Sequence, residues 1–204
     1  MRRQLVPAVI SMVVFTVLFG LVFPLVITGI GQVAFHDQAE GSIVEQNGKK
    51  VGSSLVGQAF TDPQGKARPQ YFQSRPSAAL GASGSTTAGY DPTLSSGSNL
   101  GPTNPDFLKL VGQRVKAYRA LNGLPAGTKV PVDAVTASAS GLDPDISVAN
   151  ARLQAARIAT ERGISDAKVR QLIDDNTSDR TLGVLGEKTV NVLALNRALD
   201  RLPQ

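Results

Sequence analysis

Leu5-Val6-Pro7-Ala8-Val9-Ile10-Ser11-Met12-Val13-Val14-Phe15-Thr16-Val17-Leu18-Phe19-Gly20-Leu21-Val22-Phe23-Pro24-Leu25-Val26-Ile27-Thr28-Gly29-Ile30 contains no formal charge, and the uncharged run fills all 32 residues between Arg3 and His36. In hydrocarbon each backbone N–H and C=O must be satisfied within its own segment, so such a run is expected to be helical, and about 20 residues suffice to cross a bilayer. Pro24 lies inside the run without the N–H that a helix interior uses, which predicts a kink or a local loosening near Gly20 to Pro24. A cleaved signal peptide would carry a shorter apolar region, about 7–15 residues, before a small-x-small site. The exit Gln32-Val33-Ala34-Phe35-His36-Asp37 offers no such site, and buried core helices seldom stay uncharged for so long. The run from Leu5 to Ile30 therefore reads as a retained transmembrane anchor.

The flanks set its direction. Arg2 and Arg3 precede the run, whereas Asp37, Glu40 and Glu45 follow it before the first lysine, Lys49. The positive-inside rule then places the N-terminus in the cytoplasm and everything beyond residue 36 outside, in a cell (inner or plasma) membrane protein with a single span. Residues 1–36 form the stub and helix, and residues 37–204 form one extracytoplasmic α+β domain. The mean hydropathy of -0.02 is an average over these unlike parts.

Composition removes whole classes of chemistry. With no cysteine there is no disulfide framework, zinc ribbon, iron–sulfur site or thiol nucleophile, and one histidine, His36, makes a Ser-His-Asp triad improbable. The formal charge of +5 is spread thinly along the chain, and aromatic residues are only 5%, not interleaved with arginines, so no nucleic-acid partner is expected.

Beyond the anchor, Ser42-Ile43-Val44 and Ser54-Leu55-Val56 are short β-prone runs punctuated by Gly41, Gly48, Gly52 and Gly57. From residue 61 to 106 prolines alternate with glycines, among them Gly81, Gly84, Gly89 and Gly97, yet Tyr71, Phe72, Tyr90, Leu94, Leu100 and Phe107 recur. An ordered but irregular surface is expected there, and long ordered loops usually carry function. A helix should start at Pro105, capped by Asn104, with Phe107, Leu108, Val111, Val115, Tyr118 and Leu121 at helical spacing and Asn122-Gly123 as its stop. The small-residue run Ala134 to Gly141 is suited to close packing on another backbone. Ser147 should cap a helix through Arg162 that Gly163 ends, and Ser165 or Asp166 should start the next, with Val169, Leu172 and Ile173 inward. Thr189 to Leu195 reads as strand or helix, and Leu195 to Leu202 as helix.

Catalytic signals are faint. No phosphate-binding glycine motif occurs in its required context. Leu94-Ser95-Ser96-Gly97-Ser98 is similar to the Ser-Gly-rich signature loop of ABC transporters, so direct nucleotide binding by the Ser95 to Asn104 region stands as an alternative to a plain turn. A membrane-tethered hydrolase would need a base beside Ser138 or Ser140, and none is suggested by the spacing. Asp143-Pro144-Asp145 places carboxylates before a helix, where capping and the helix dipole explain them.

Four blocks nevertheless resemble one family: Tyr71-Phe72-Gln73-Ser74-Arg75-Pro76-Ser77-Ala78; Ser96-Gly97-Ser98-Asn99-Leu100-Gly101-Pro102-Thr103-Asn104-Pro105; Asp133 through Ser147; and Val190-Asn191-Val192-Leu193-Ala194-Leu195-Asn196. With Phe23-Pro24-Leu25 and Gln38-Ala39-Glu40-Gly41-Ser42 they are similar to the KdpC family, the C subunit of the bacterial Kdp potassium-transporting P-type ATPase. One departure is His36-Asp37, where a proline before the Gln-Ala pair would be expected. The resemblance implies a non-catalytic accessory subunit in a complex with a potassium-channel-like A subunit, a P-type ATPase B subunit and a small single-helix F subunit. It implies a role in assembly or stability, described in the family as that of a catalytic chaperone raising the pump subunit's affinity for ATP. ATP and potassium would belong to the complex, with no cofactor bound by this chain. Tyr71, Arg75, Ser96, Asn99, Asn104, Asp143 and Asp145 are the candidate partner- or nucleotide-linked residues, and Arg2, Arg3, Leu5, Pro24 and Ile30 mark the membrane segment and its orientation.

Overall fold

The uncharged run is helical as far as Ala34 in the computed structural model, which describes residues 2–80 and 89–202. Helix α1 (Arg2–Val17) continues through a π-helical turn (Leu18–Val22) into α2 (Phe23–Ala34). The turn answers the expectation at Pro24. Pro24 follows directly on the π-helical turn, where the hydrogen-bond ladder is already loosened: the Phe23 N–H reaches back five residues to the Leu18 carbonyl. The stretch Arg3–Ala34 has the length and composition of a membrane span, and none of its residues is buried by the rest of the chain. An apolar helix exposed on every side is a helix built for a lipid or protein environment outside its own fold.

The chain divides into two compact units, Met1–Ser53 and Ser54–Gln204. In the first, the anchor leads into the one-turn helix α3 (His36–Ala39) and an antiparallel hairpin of β1 (Ile43–Gln46) and β2 (Lys49–Ser53). Gln32 ties helix to exit: its Nε2 donates to Glu40 Oε1 at 2.9 Å and its Oε1 lies 3.0 Å from His36 Nδ1. Asn47 (φ 52°) and Gly48 (φ 71°) both take positive φ, the turn chemistry of a tight hairpin. This corrects the reading of Ser54-Leu55-Val56 as a strand. Asn47-Gly48 returns the chain at once, so Lys49–Ser53 pairs with β1 instead.

The second unit contains α4 (Pro105–Leu121), a short 3₁₀ turn (Val132–Ala134), β3 (Asp145–Ser147), α5 (Val148–Arg162), α6 (Asp166–Asp175), β4 (Thr177–Ser178), β5 (Thr189–Asn191) and α7 (Val192–Asp200). Its antiparallel sheet has the order β3-β5-β4, with Ile146 opposite Val190 and Thr177 on the other side of Val190. The helix starts follow the expected capping chemistry. Asn104 Oδ1 accepts from the N–H groups of Asp106 and Phe107, Ser147 Oγ from Asn150 and Ser165 Oγ from Lys168. Gly163, at φ 64°, ends α5 in the left-handed region. The ambiguous stretch at Thr189 is both strand and helix: β5 ends at Asn191, whose side chain caps α7 by accepting from Ala194.

Ile146, Ala151, Ala155, Ile158, Val169, Leu172, Ile173, Val190, Val192, Leu195 and Leu199 form the core, and Phe72 from the irregular region completes it. Burying the Phe72 ring completely contributes about 2–3 kcal/mol. The region from 54 to 104 is irregular: it packs closely at Gly57, Phe72, Ala79 and Gly97, whereas residues 92–95 and 98–103 are exposed; Gly81 and Gly84 lie outside the described residues. Phe107, Val111, Val115, Tyr118 and Leu121 are only half-buried, and Leu108 is exposed, so α4 sits at the edge of the core.

Candidate partner interface

The sequence-predicted residues fall into two places. At the first, Arg75 and Asp143 form a partly buried ion pair, Nη1 to Oδ2 at 2.8 Å. Asp143 Oδ1 also accepts from the Asp145 N–H at 3.0 Å, so one carboxylate fixes both an arginine and the entry into β3. Arg75 Nη2 lies 3.4 Å from the Ala137 carbonyl, and Arg75 Nε has no acceptor among the described residues. Tyr90 donates its hydroxyl to the Arg75 carbonyl at 2.7 Å; burial, above all, pushes that phenol up to about 12. An open depression of about 600 Å³ is lined here by Leu55, Val56, Arg75, Ser138, Ala139, Ser140, Leu142, Asp143 and Pro144.

Its floor is made by the small-residue run. The Ser96 N–H donates to the Ser140 carbonyl at 2.9 Å and Ser95 Oγ to the same oxygen at 3.1 Å. A Cβ on Gly97 would sit 2.8 Å from the Ala139 carbonyl. Gly141, at φ 69°, lies against the Ser96 carbonyl and the Ala79 N–H, and its own carbonyl accepts from Ser77 Oγ at 2.6 Å. Only residues without side-chain bulk permit two backbones to approach so closely. Ser138 Oγ and Ser140 Oγ accept from the N–H groups of Gly141 and Leu142. Those hydroxyls build the turn.

Tyr71, four residues from Arg75, belongs to a different surface. The guanidinium groups of Arg68 and Arg162 each lie over its ring, 4.7 Å from the centroid, and its hydroxyl donates to Asp200 at 3.3 Å. Arg162 and Asp200 are paired at 2.7 Å beside a depression of about 650 Å³. The remaining candidates make local bonds. Asp145 accepts from Thr189 Oγ1 at 3.0 Å and Asn191 Nδ2 at 3.3 Å across the sheet, Asn104 caps α4, and Asn99 holds an exposed turn at φ 51°.

A buried polar network went unread in the sequence. Arg157 is inside the fold, where its Nε donates to Asn122 Oδ1, its Nη2 to Gln154 Oε1 and its Nη1 to the carbonyls of Tyr71 and Pro69. Burial lowers its pKa to about 10. Gln154 and Asn196 then hold the Phe72-Gln73 backbone as strand neighbours would: Gln154 accepts from the Gln73 N–H and donates to its carbonyl, and Asn196 does the same for Phe72. Asn150 links Tyr118, Gln154 and Asp133. The signal was present as Asn150, Gln154 and Arg157 at spacings of four and three, one face of α5.

The profile of the family described as KdpC, K+-transporting ATPase, c chain, matches residues 5–201. The chain belongs to the KdpC family. It is 55% identical to the potassium-transporting ATPase KdpC subunit of Mycobacterium tuberculosis over 202 residues, covering 99% of this chain and all of that one. It is 50% identical to the KdpC subunit of Caulobacter vibrioides, covering 98% and 94% of the two chains, and 48% identical to that of Geobacter metallireducens, covering 96% of each. KdpC membership therefore spans both the apolar helix and the folded unit.

Proposed function

We propose that the chain is a non-catalytic accessory subunit of an ATP-driven potassium uptake complex, anchored by its apolar helix with the N-terminus in the cytoplasm and the folded unit on the external face. The observation that carries this is a 32-residue apolar helix, unburied by its own chain, joined to a folded unit within one KdpC family match. Arg2 and Arg3 before the helix, against Asp37 and Glu40 after it, support the orientation. The partners are a potassium-channel-like A subunit, a P-type ATPase B subunit and a small single-helix F subunit, and the Arg75–Asp143 surface is the candidate contact. An external unit would affect ATP affinity at a distance, by favouring one conformation of the whole complex, and reciprocity then requires ATP to alter its docking in turn.

The chain has no cysteine, so one introduced thiol reports its side of the membrane without background from the chain. Ser98→Cys, in an exposed turn, should react with a membrane-impermeant maleimide in intact cells. Reaction only after permeabilisation, together with photoaffinity labelling of Ser95 to Asn104 by an ATP analogue, would replace this reading with direct nucleotide binding.

A further inference from the structure

The segment between β4 and β5 presents apolar side chains that the fold itself does not use. Every residue from Ser178 to Lys188 is exposed, including Leu182 at 87%, Val184 at 73% and Leu185 at 59%. This is not a loose loop. The Thr181 N–H donates to the Leu185 carbonyl and the Leu185 N–H to the Thr181 carbonyl, both at 2.9 Å, and the Gly183 N–H donates to the Arg180 carbonyl at the same distance. Arg180 pairs with Glu187 at 2.6 Å and Lys188 with Asp179 at 2.7 Å at the base.

Leu182 and Gly183 take φ of 55° and 78°, two successive left-handed residues of the kind that Asn-Gly supplies without strain. A leucine with positive φ is a steric outlier that persists only where the surroundings hold it there. Here the chain tolerates the strain and projects the side chain into solvent, so no packing within the second unit accounts for the choice. Strain and apolar exposure coincide at one residue on a braced tip.

We propose that Leu182, Val184 and Leu185 form a rigid knob that inserts into an apolar socket on a neighbouring subunit of the complex. The inference rests on the accessory-subunit reading above and names a contact surface for it. The charges favour a protein socket over a lipid surface. Asp179, Arg180, Glu187 and Lys188 sum to zero and pair with one another, leaving no cationic excess to attract anionic headgroups, and the tip carries no aromatic residue for the membrane interface. An apolar centre ringed by mutually neutralised polar groups is instead the layout of a protein–protein interface, an apolar core inside a polar rim.

Leu182→Asn with Val184→Ser tests this, because asparagine relieves the turn while both changes remove the apolar tip. The complete complex is purified through a tag on this chain, and subunit dissociation is followed in detergent for wild type and variant. Benzoylphenylalanine at position 182 maps the contact by photocrosslinking. The variant chain should unfold at the same or a higher temperature, the complex should dissociate about tenfold faster, and position 182 should crosslink to another subunit. Equal dissociation rates, crosslinks confined to lipid or to a second copy of this chain, or a loss explained by a lowered unfolding temperature would overturn it. A wild-type chain that brings no other subunit through purification would overturn the accessory reading and this contact together.

Discussion

The side-chain amide of Asn196 exchanges two hydrogen bonds with the backbone of Phe72: it accepts from the Phe72 N–H at 2.9 Å and donates to the Phe72 carbonyl at 3.0 Å. Both residues are buried, and they are 124 positions apart in the chain. An irregular segment thus enters the core with its backbone satisfied, by an amide doing what a neighbouring strand would do. Asn196→Ala should leave two buried backbone groups unpaired and destabilise the fold by about 3 kcal/mol, the sum of two lost partners. Thermal unfolding of the detergent-solubilised chain checks this, with a midpoint lowered by roughly 6–12 °C.

Two glycines separate close backbone approach from mere flexibility. Gly141 combines φ 69° with contacts to the Ser96 carbonyl and the Ala79 N–H, whereas Gly112, inside α4, has nothing near its missing side chain. Gly141→Ala should destabilise by about 2 kcal/mol or more, while Gly112→Ala should stabilise by about 0.5–1 kcal/mol. Denaturant midpoints of the two variants should move in opposite directions.

Burial raises the Tyr90 phenol from the usual 10.0 to about 12. Above pH 10 the unfolded chain loses this proton and the folded chain keeps it, so the unfolded state binds fewer protons and stability falls between pH 10 and 12. Tyr118 is shifted in the same direction, and Arg157, lowered to about 10, acts oppositely. Comparison with Tyr90→Phe isolates the first effect. At pH 8 the variant should be less stable by about 1 kcal/mol, having lost the bond to the Arg75 carbonyl, but the wild type loses about 2–3 kcal/mol as pH rises to 12, so the gap should close between about pH 10 and 11 and reverse above that. Unfolding temperatures of both proteins across that range decide it.

These sites also show what sequence alone could carry. Helix starts at Asn104, Ser147 and Ser165 were legible because a cap is a local event, settled within three residues of the side chain that makes it. The anchor was legible because hydrocarbon tolerates so few residue types. The small-residue run announced close packing, although not that Ser96 and Ala79 would be its neighbours. Arg157 and Gln154 were not legible as core residues, since the backbone carbonyls they bind lie 81 to 88 positions away in a segment with no periodicity. Tyr71 and Arg75 looked like one site by proximity, yet Tyr71 stacks on Arg162 and Arg75 pairs with Asp143. Leu182 gave no sign of its role, because an apolar residue beside glycine fits a buried strand as readily as an exposed turn.

Under the proposed function, a potassium-transporting ATPase needs the folded unit although that unit performs no chemistry itself. Potassium-stimulated ATP hydrolysis by the purified complex, assembled with a chain that keeps its helix but lacks residues 41–204, tests it most directly. The account predicts that the complex fails to assemble or loses potassium-stimulated hydrolysis. Undiminished hydrolysis and transport by the truncated complex would contradict it.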